Sequence, residues 1–330
     1  MSEEKSAPLP VTILSGFLGS GKTTLLKRIL NDAADSQRIA VLENELGNVP
    51  VDDVLLRENN PGQLDTLLGR SCCESRAEFI QLLEATAKVR DKFDRLVIES
   101  TGVAHPGMLA HALMGDADLR AQFRLDGIVT VVDALHFAAH VGEDGHAQEQ
   151  VAYADVILLN KRDLVDDATL EALQAKLKTI NGTAKCYVTQ DANVPVDWVL
   201  NIGGFDLAKI ESGVKGCSAT DPNAPREKHD IQTVAFRAQD RFDFLKLREW
   251  MQSFLAEHAD DVYRAKGVVA LHGFEERMVF QGVHGQFQAG LTMSPTDDKE
   301  ASRIIFIGRN LYRYGILEAL AGCLASAKTK

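Results

Sequence analysis

The chain has 330 residues, 45% of them hydrophobic and 25% charged; at roughly 100–200 residues per domain this implies two domains with real cores and excludes disorder as the main character. Its formal net charge of −11 argues against a nucleic-acid partner, which must neutralise phosphates with cations. No window approaches about 18 apolar residues, the polar start MSEEKSAPLP lacks a signal-peptide pattern, and five scattered cysteines do not read as a disulfide framework, so the expectation is a cytoplasmic protein with no membrane partner.

Residues 11–15 (VTILS) form an apolar, strand-like run ending in a glycine-rich turn. Leu25, Leu26, Ile29 and Leu30 then recur at helical spacing, giving strand, loop, helix. Further apolar runs at 39–42, 95–98, 127–132 and 156–159 are continuous rather than alternating, as in strands buried on both faces of a parallel sheet. Helical stretches at 78–88 and 168–180 lie between them. The repeated βα order predicts an α/β fold with a mostly parallel sheet over residues 1–210. Residues 211–230 are rich in Gly, Ser, Asp and Pro and read as a linker. Beyond them a strand at 231–237 precedes a helix at 242–258, on which Leu247, Trp250, Met251, Phe254 and Leu255 share a face. Strands at 267–271, 277–283 and 303–307 and a helix at 316–327 complete a small α+β domain over 231–330, with an antiparallel sheet.

Three motifs carry chemistry. Gly16-Phe17-Leu18-Gly19-Ser20-Gly21-Lys22-Thr23 matches the phosphate-binding loop pattern G-x-x-x-x-G-K-[ST]. Its glycines, Gly16, Gly19 and Gly21, let backbone N–H groups, with Ser20, turn toward phosphate oxygens, and the helix N-terminus at Lys22, Thr23 and Thr24 adds its dipole. Lys22 reaches the β- and γ-phosphates, and the Thr23 hydroxyl can ligate Mg²⁺. Next, the strand 96–98 ends in Glu99, followed by Gly102; the acid belongs near Mg²⁺ and the glycine amide near a γ-phosphate. Last, Asn160-Lys161-Arg162-Asp163 follows the strand 156–159. The Asp163 carboxylate accepts two N–H bonds from a guanine edge, whereas adenine would leave it desolvated and unpaired, so the expected nucleotide is GTP. Asn160 fixes that loop and the Lys161 stem lies along the base. Glu43-Asn44-Glu45-Leu46-Gly47 sits where a switch loop belongs, or is an acidic surface turn. Glu45 and Glu99 both remain open as the group that orients the attacking water.

In this order, GFLGSGKTT (16–24), ENELG (43–47), ESTG (99–102) and NKRD (160–163) resemble the CobW-like GTPases, metal-insertion and metal-homeostasis proteins related to nickel-insertion GTPases. The resemblance extends through LDGIVTVVDA (125–134), YADVILLNK (153–161), YRAKG (263–267) and RMVFQGV (277–283), nearly the whole chain. It implies a G domain with GTP and Mg²⁺, slow hydrolysis and a metal site coupled to the nucleotide, serving a client metalloprotein or another partner. The family's C-x-C-C motif corresponds here to Arg70-Ser71-Cys72-Cys73, with Arg70 in the first cysteine's place, and Asn48 stands where the switch loop often carries an acid. Cys72 and Cys73 with Glu43 or another acid still make a thiolate–carboxylate donor set suited to Zn²⁺ or Co²⁺; the bland reading is a pair of buried small hydrophobes, and a third is a reactive thiolate held by Arg70. A regulatory GTPase with a vestigial metal site is the alternative function. His136 and His140, spaced i, i+4, could share a helix face near Glu143 and His146, but no strong third ligand is at hand and they read as solvated surface histidines; His105, in the segment after Gly102, reads equally as a nucleotide- or metal-responsive group and as a loop-packing one.

Overall fold

The apolar run after residue 8 forms β1 (Leu9–Ser15), buried at every residue but Pro10. A computed structural model describes residues 7–33, 36–43, 55–58, 65–70, 76–140, 145–207, 231–292 and 302–325. The other strands of the first sheet are β2 (Ile39–Glu43), β3 (Leu55–Glu58), β4 (Asp65–Arg70), β5 (Arg95–Glu99), β6 (Phe123–Asp133), β7 (Val156–Asn160) and β8 (Lys185–Val188). Their order is β3-β4-β2-β5-β1-β6-β7-β8. Every pairing is parallel except β3 with β4. β1 therefore lies between β5 and β6: the connection from β1 runs to β2 on one side, and that from its neighbour β5 runs to β6 on the other. That reversal opens a crevice at the strands' C-terminal ends, where ligands bind in open α/β sheets.

Helix α1 (Lys22–Ala33) starts directly after Gly21 and buries Leu25, Leu26, Ile29 and Ala33, while Leu30 packs partly buried against the same core. Full burial of a Leu or Ile side chain is worth about 1.5–3 kcal/mol, so this stripe sets the helix against the sheet. The helices that follow are α2 (Arg76–Ala87), α3 (Pro106–Gly115), α4 (Ala117–Gln122), α5 (Phe137–His140), α6 (His146–Tyr153) and α7 (Asp167–Ile180). Asp116 caps α4 by accepting from the amides of Asp118 and Leu119. On the half of the sheet away from the crevice, a buried Arg95–Asp126 pair at 3.0 Å ties β5 to β6, and Arg95 also donates to Thr12 on β1.

A second sheet has the order β12-β11-β10-β13-β9 and is wholly antiparallel. Its strands are β9 (Ile231–Ala238), β10 (Val262–Ala270), β11 (Arg277–Val283), β12 (Gln286–Thr292) and β13 (Ser302–Arg309). Helix α8 (Phe244–His258) begins two residues later than its periodicity predicts, because Asp243 caps it by accepting from the amides of Leu245 and Lys246. It packs Leu247 and Phe254 into the core, with Trp250, Met251 and Leu255 partly buried beside them. Helix α9 (Ile316–Gly322) ends at Gly322 with Cys323 as its C-cap, short of the predicted 327. The chain divides into two compact units, Met1–Gln150 with Ala154–Gln174 and Lys185–Gly204, and Val151–Tyr153 with Ala175–Ala184 and Phe205–Lys330.

The antiparallel pair β3 and β4, the short β8 and β12 do not stand out in the sequence, since none has a long apolar run. His136 lies exposed in the turn before α5, as expected of a solvated surface histidine, and because it precedes the helix the alternative of a shared helix face with His140 fails. The imidazole Nδ1 of His136 instead lies 3.0 Å from an Asp133 carboxylate oxygen.

Candidate functional site

The loop between β1 and α1 takes the backbone form its glycines allow. Gly16, Gly19 and Gly21 have φ of 139°, 76° and 114°, which side-chain-bearing residues rarely adopt. A Cβ on Gly16 would come within 2.2 Å of the Val131 carbonyl oxygen on β6, and one on Gly21 within 2.5 Å of Asn160 Nδ2 on β7. The loop is thus seated against the two strands on the far side of β1. Helix α1 carries no acid in its first turn, leaving its positive end open to an anion.

Lys22 is buried, and its Nζ donates to the carbonyl oxygens of Gly16 at 2.7 Å and Phe17 at 3.1 Å. Burial pulls its pKa below the ordinary lysine value, and Glu99 opposes that pull. The Thr23 hydroxyl donates to Glu99 Oε1 at 2.7 Å. A hydroxyl and a carboxylate thus meet at the mouth of the loop, and hard oxygen donors of this kind suit Mg²⁺. Strand register sets Glu43 of β2 directly beside Glu99 of β5 on one side and Arg70 of β4 on the other. Glu45, Asn48, Cys72, Cys73 and Glu143 lie outside the described residues.

The second loop is joined to the first. Asn160, the last residue of β7, is buried; its Nδ2 donates to the Ser20 carbonyl at 2.9 Å, and its Oδ1 accepts from the Ala192 amide at 2.9 Å. Lys161 adopts a left-handed backbone, φ 62°, that turns the chain into the short 3₁₀ helix Arg162–Leu164, where Asp163 is exposed. Its Nζ donates to Asp133 Oδ2 at 2.7 Å. Burial pushes the Asp133 carboxyl upward, but Lys161, His136 and the Leu135 amide outweigh it and hold the group below its ordinary value. A cavity of about 350 Å³ opens beside the phosphate loop, with Leu18, Gly19, Asp133, His136, Gln150 and Lys161 in its wall.

The segment after Glu99 lies against the phosphate loop: a Cβ on Gly102 would stand 2.6 Å from the Leu18 amide nitrogen. His105 precedes α3, with Pro106 at its first turn, and its Nε2 is 3.6 Å from Glu149 Oε2. Sequence reasoning missed Asp133 and Gln150. Asp133 carries a signal, an acid at the C-terminal end of a buried strand, as Glu99 is; Gln150 carries none.

Residues 10–188 match the CobW/HypB/UreG nucleotide-binding domain. The chain belongs to the CobW family. Residues 231–324 match the C-terminal domain of the cobalamin synthesis protein cobW, so both units of this CobW-family chain are accounted for. It is 35% identical over 320 residues to the zinc chaperone YjiA of Escherichia coli, covering 96% of this chain and 98% of that protein. It is 30% identical over 349 residues to the zinc-regulated GTPase metalloprotein activator 1 of Schizosaccharomyces pombe, covering 93% and 84%. The Zn(II)-bound crystal structure of YjiA GTPase superimposes with a TM-score of 0.75 at 33% identity, covering 97% of this chain and all of that one. A Zn(II)-bound triple mutant of the same protein, with one glutamate and two cysteines changed to alanine, matches at 0.77.

Proposed function

We propose that this chain binds and hydrolyses GTP and uses the nucleotide cycle to take up and release a metal ion, Zn²⁺ or Co²⁺, for a client metalloprotein. The observation that carries the reading is the junction of phosphate loop, Glu99 and N-K-x-D loop in one crevice, within a chain related end to end to proteins named as zinc chaperones. Gly16, Gly19, Ser20, Gly21, Lys22, Thr23 and Thr24 hold the phosphates, and Asn160, Lys161 and Asp163 hold guanine. Lys22 neutralises charge on the transferring group. Its two carbonyl contacts keep the ammonium at the loop. Thr23 and Glu99 would hold Mg²⁺, which when bound neutralises charge developing on the β- and γ-phosphate oxygens. Glu45 or Glu99 orients the attacking water, and the Gly102 amide responds to the γ-phosphate.

The cargo site of this proposal is Glu43, Cys72 and Cys73. Its coupling to the nucleotide is supported by register, because Glu43 is the immediate neighbour of Glu99 across the β2–β5 pair. A YjiA triple mutant that lacks a glutamate and two cysteines, the same residue types, is nevertheless Zn(II)-bound. Metal binding alone is therefore a poor test, and a thiolate signature is needed. Co²⁺ titration should show a thiolate-to-metal charge-transfer band that disappears in a Cys72→Ser/Cys73→Ser variant and changes in affinity with a non-hydrolysable GTP analogue. Linkage requires metal to change the analogue's affinity by the same factor. A band unaffected by nucleotide would refute gated delivery. No band at all, with a metal-independent protein partner, would establish the regulatory reading favoured by Arg70 and Asn48.

A further inference from the structure

Gln150 on α6 is fixed from both ends. Its backbone carbonyl accepts from the Thr130 hydroxyl of β6 at 2.8 Å, and its side chain is only 2% exposed. The carboxamide Nε2 donates to the Gly102 carbonyl at 3.0 Å and to the Ala104 carbonyl at 3.3 Å. Both N–H bonds of one NH₂ group thus hold one turn of the segment that follows Glu99. Gly102 also lies on the phosphate loop, too close to Leu18 for any side chain. Gly102 is therefore held by both Leu18 of the loop and Gln150 of α6.

We propose that Gln150 is a positioning residue that sets the discrimination between GTP and GDP: by anchoring the Gly102 and Ala104 carbonyls it fixes the segment whose Gly102 N–H, on the preceding peptide, meets the γ-phosphate. This rests on the nucleotide reading above and adds the residue that anchors the segment bearing the sensing N–H. A segment free to move would have to be ordered at each binding event, and only the triphosphate would bear that cost, since the diphosphate does not reach it. The contact is carried by N–H donors, so chemistry rather than shape decides it. Glutamate has the same outline but, ionised, cannot donate to either carbonyl.

The test compares wild type with Gln150→Glu and Gln150→Met, the second being apolar and close in volume, so that a folding failure of one leaves the other. Affinities for a fluorescent GDP and a non-hydrolysable GTP analogue are measured by titration, with the thermal transition of each protein alongside. Both variants should bind GDP within about twofold of wild type and the GTP analogue roughly tenfold more weakly, equivalent to about 1.4 kcal/mol. Equal weakening of both nucleotides would make Gln150 merely structural and overturn the proposal, as would an unchanged ratio. Lys22→Ala separates this from the underlying reading. If that variant binds the triphosphate as wild type does, the phosphate-loop assignment itself is wrong; if it loses binding while the Gln150 variants keep the wild-type ratio, only the clamp is wrong.

Discussion

Replacing Asn160 with alanine should uncouple the phosphate loop from the base loop, and the cost can be worked from its two bonds. The side chain donates to the Ser20 carbonyl and accepts from the Ala192 amide, both at 2.9 Å. A typical hydrogen bond contributes about 0.5–1.5 kcal/mol, and a buried donor left unsatisfied costs about 1–3 kcal/mol. Ala192 is fully buried, and it and Asp191 both sit in the left-handed region, with φ of 53° and 52°, so its amide has little freedom to find another acceptor. Losing the Ser20 bond and leaving the Ala192 donor unsatisfied totals about 1.5–4.5 kcal/mol, and at about 2–4 °C per kcal/mol for a unit of this size the melting temperature should fall by about 3–18 °C. Calorimetry gives the stability, and titration with a fluorescent GTP analogue should show a Kd raised roughly tenfold or more. Asn160→Asp keeps the acceptor for Ala192 but loses the donor to Ser20, so it should retain the loop at 191–192 while still weakening nucleotide. A melting temperature within about 2 °C of wild type, or unaltered affinity despite a large fall, would refute the bridge.

Three further outcomes are expected. Asp163→Asn should weaken GTP and improve xanthine nucleotide, whose O2 accepts where guanine N2 donates; equal wild-type affinity for ATP and GTP in competition titrations would end the guanine assignment. Asp133, held below its ordinary carboxylate value of 3.8, contributes stability that is present above that pH and lost as pH falls through its folded value. The stability difference between wild type and Asp133→Asn should therefore be steady at neutral pH and shrink below about pH 4, and a difference that grows with acid would contradict the Lys161 contact. Burial pushes the Cys186 thiol up to about 11, so iodoacetamide at pH 8 should modify it more slowly in the folded protein than in the unfolded chain, as read by peptide mass mapping; equal rates would contradict the raised value.

What the sequence determined by itself was local. The run at 11–15, the glycines at 16, 19 and 21 and the apolar stripe from Leu25 are all short-range statements, and β1, the loop and α1 follow them closely. Motif order was equally legible, and with it the α/β class and the separate antiparallel domain. Tertiary structure decided which side chains meet. Thr23 and Glu99 are 76 residues apart, Asn160 and Ser20 are 140 apart, Lys161 and Asp133 are 28, and Gln150 and Gly102 are 48. None of these pairs has a periodicity, because each depends on strand order: β1 between β5 and β6, and β7 next to β6. The same dependence explains His136. Its spacing to His140 fits a helix, but β6 runs on to Asp133, so the residues just beyond it must turn, and the acid at that strand end captures the imidazole. Helical spacing is encoded within a few residues, whereas the partner of a buried polar group is chosen by whichever strand the fold sets beside it.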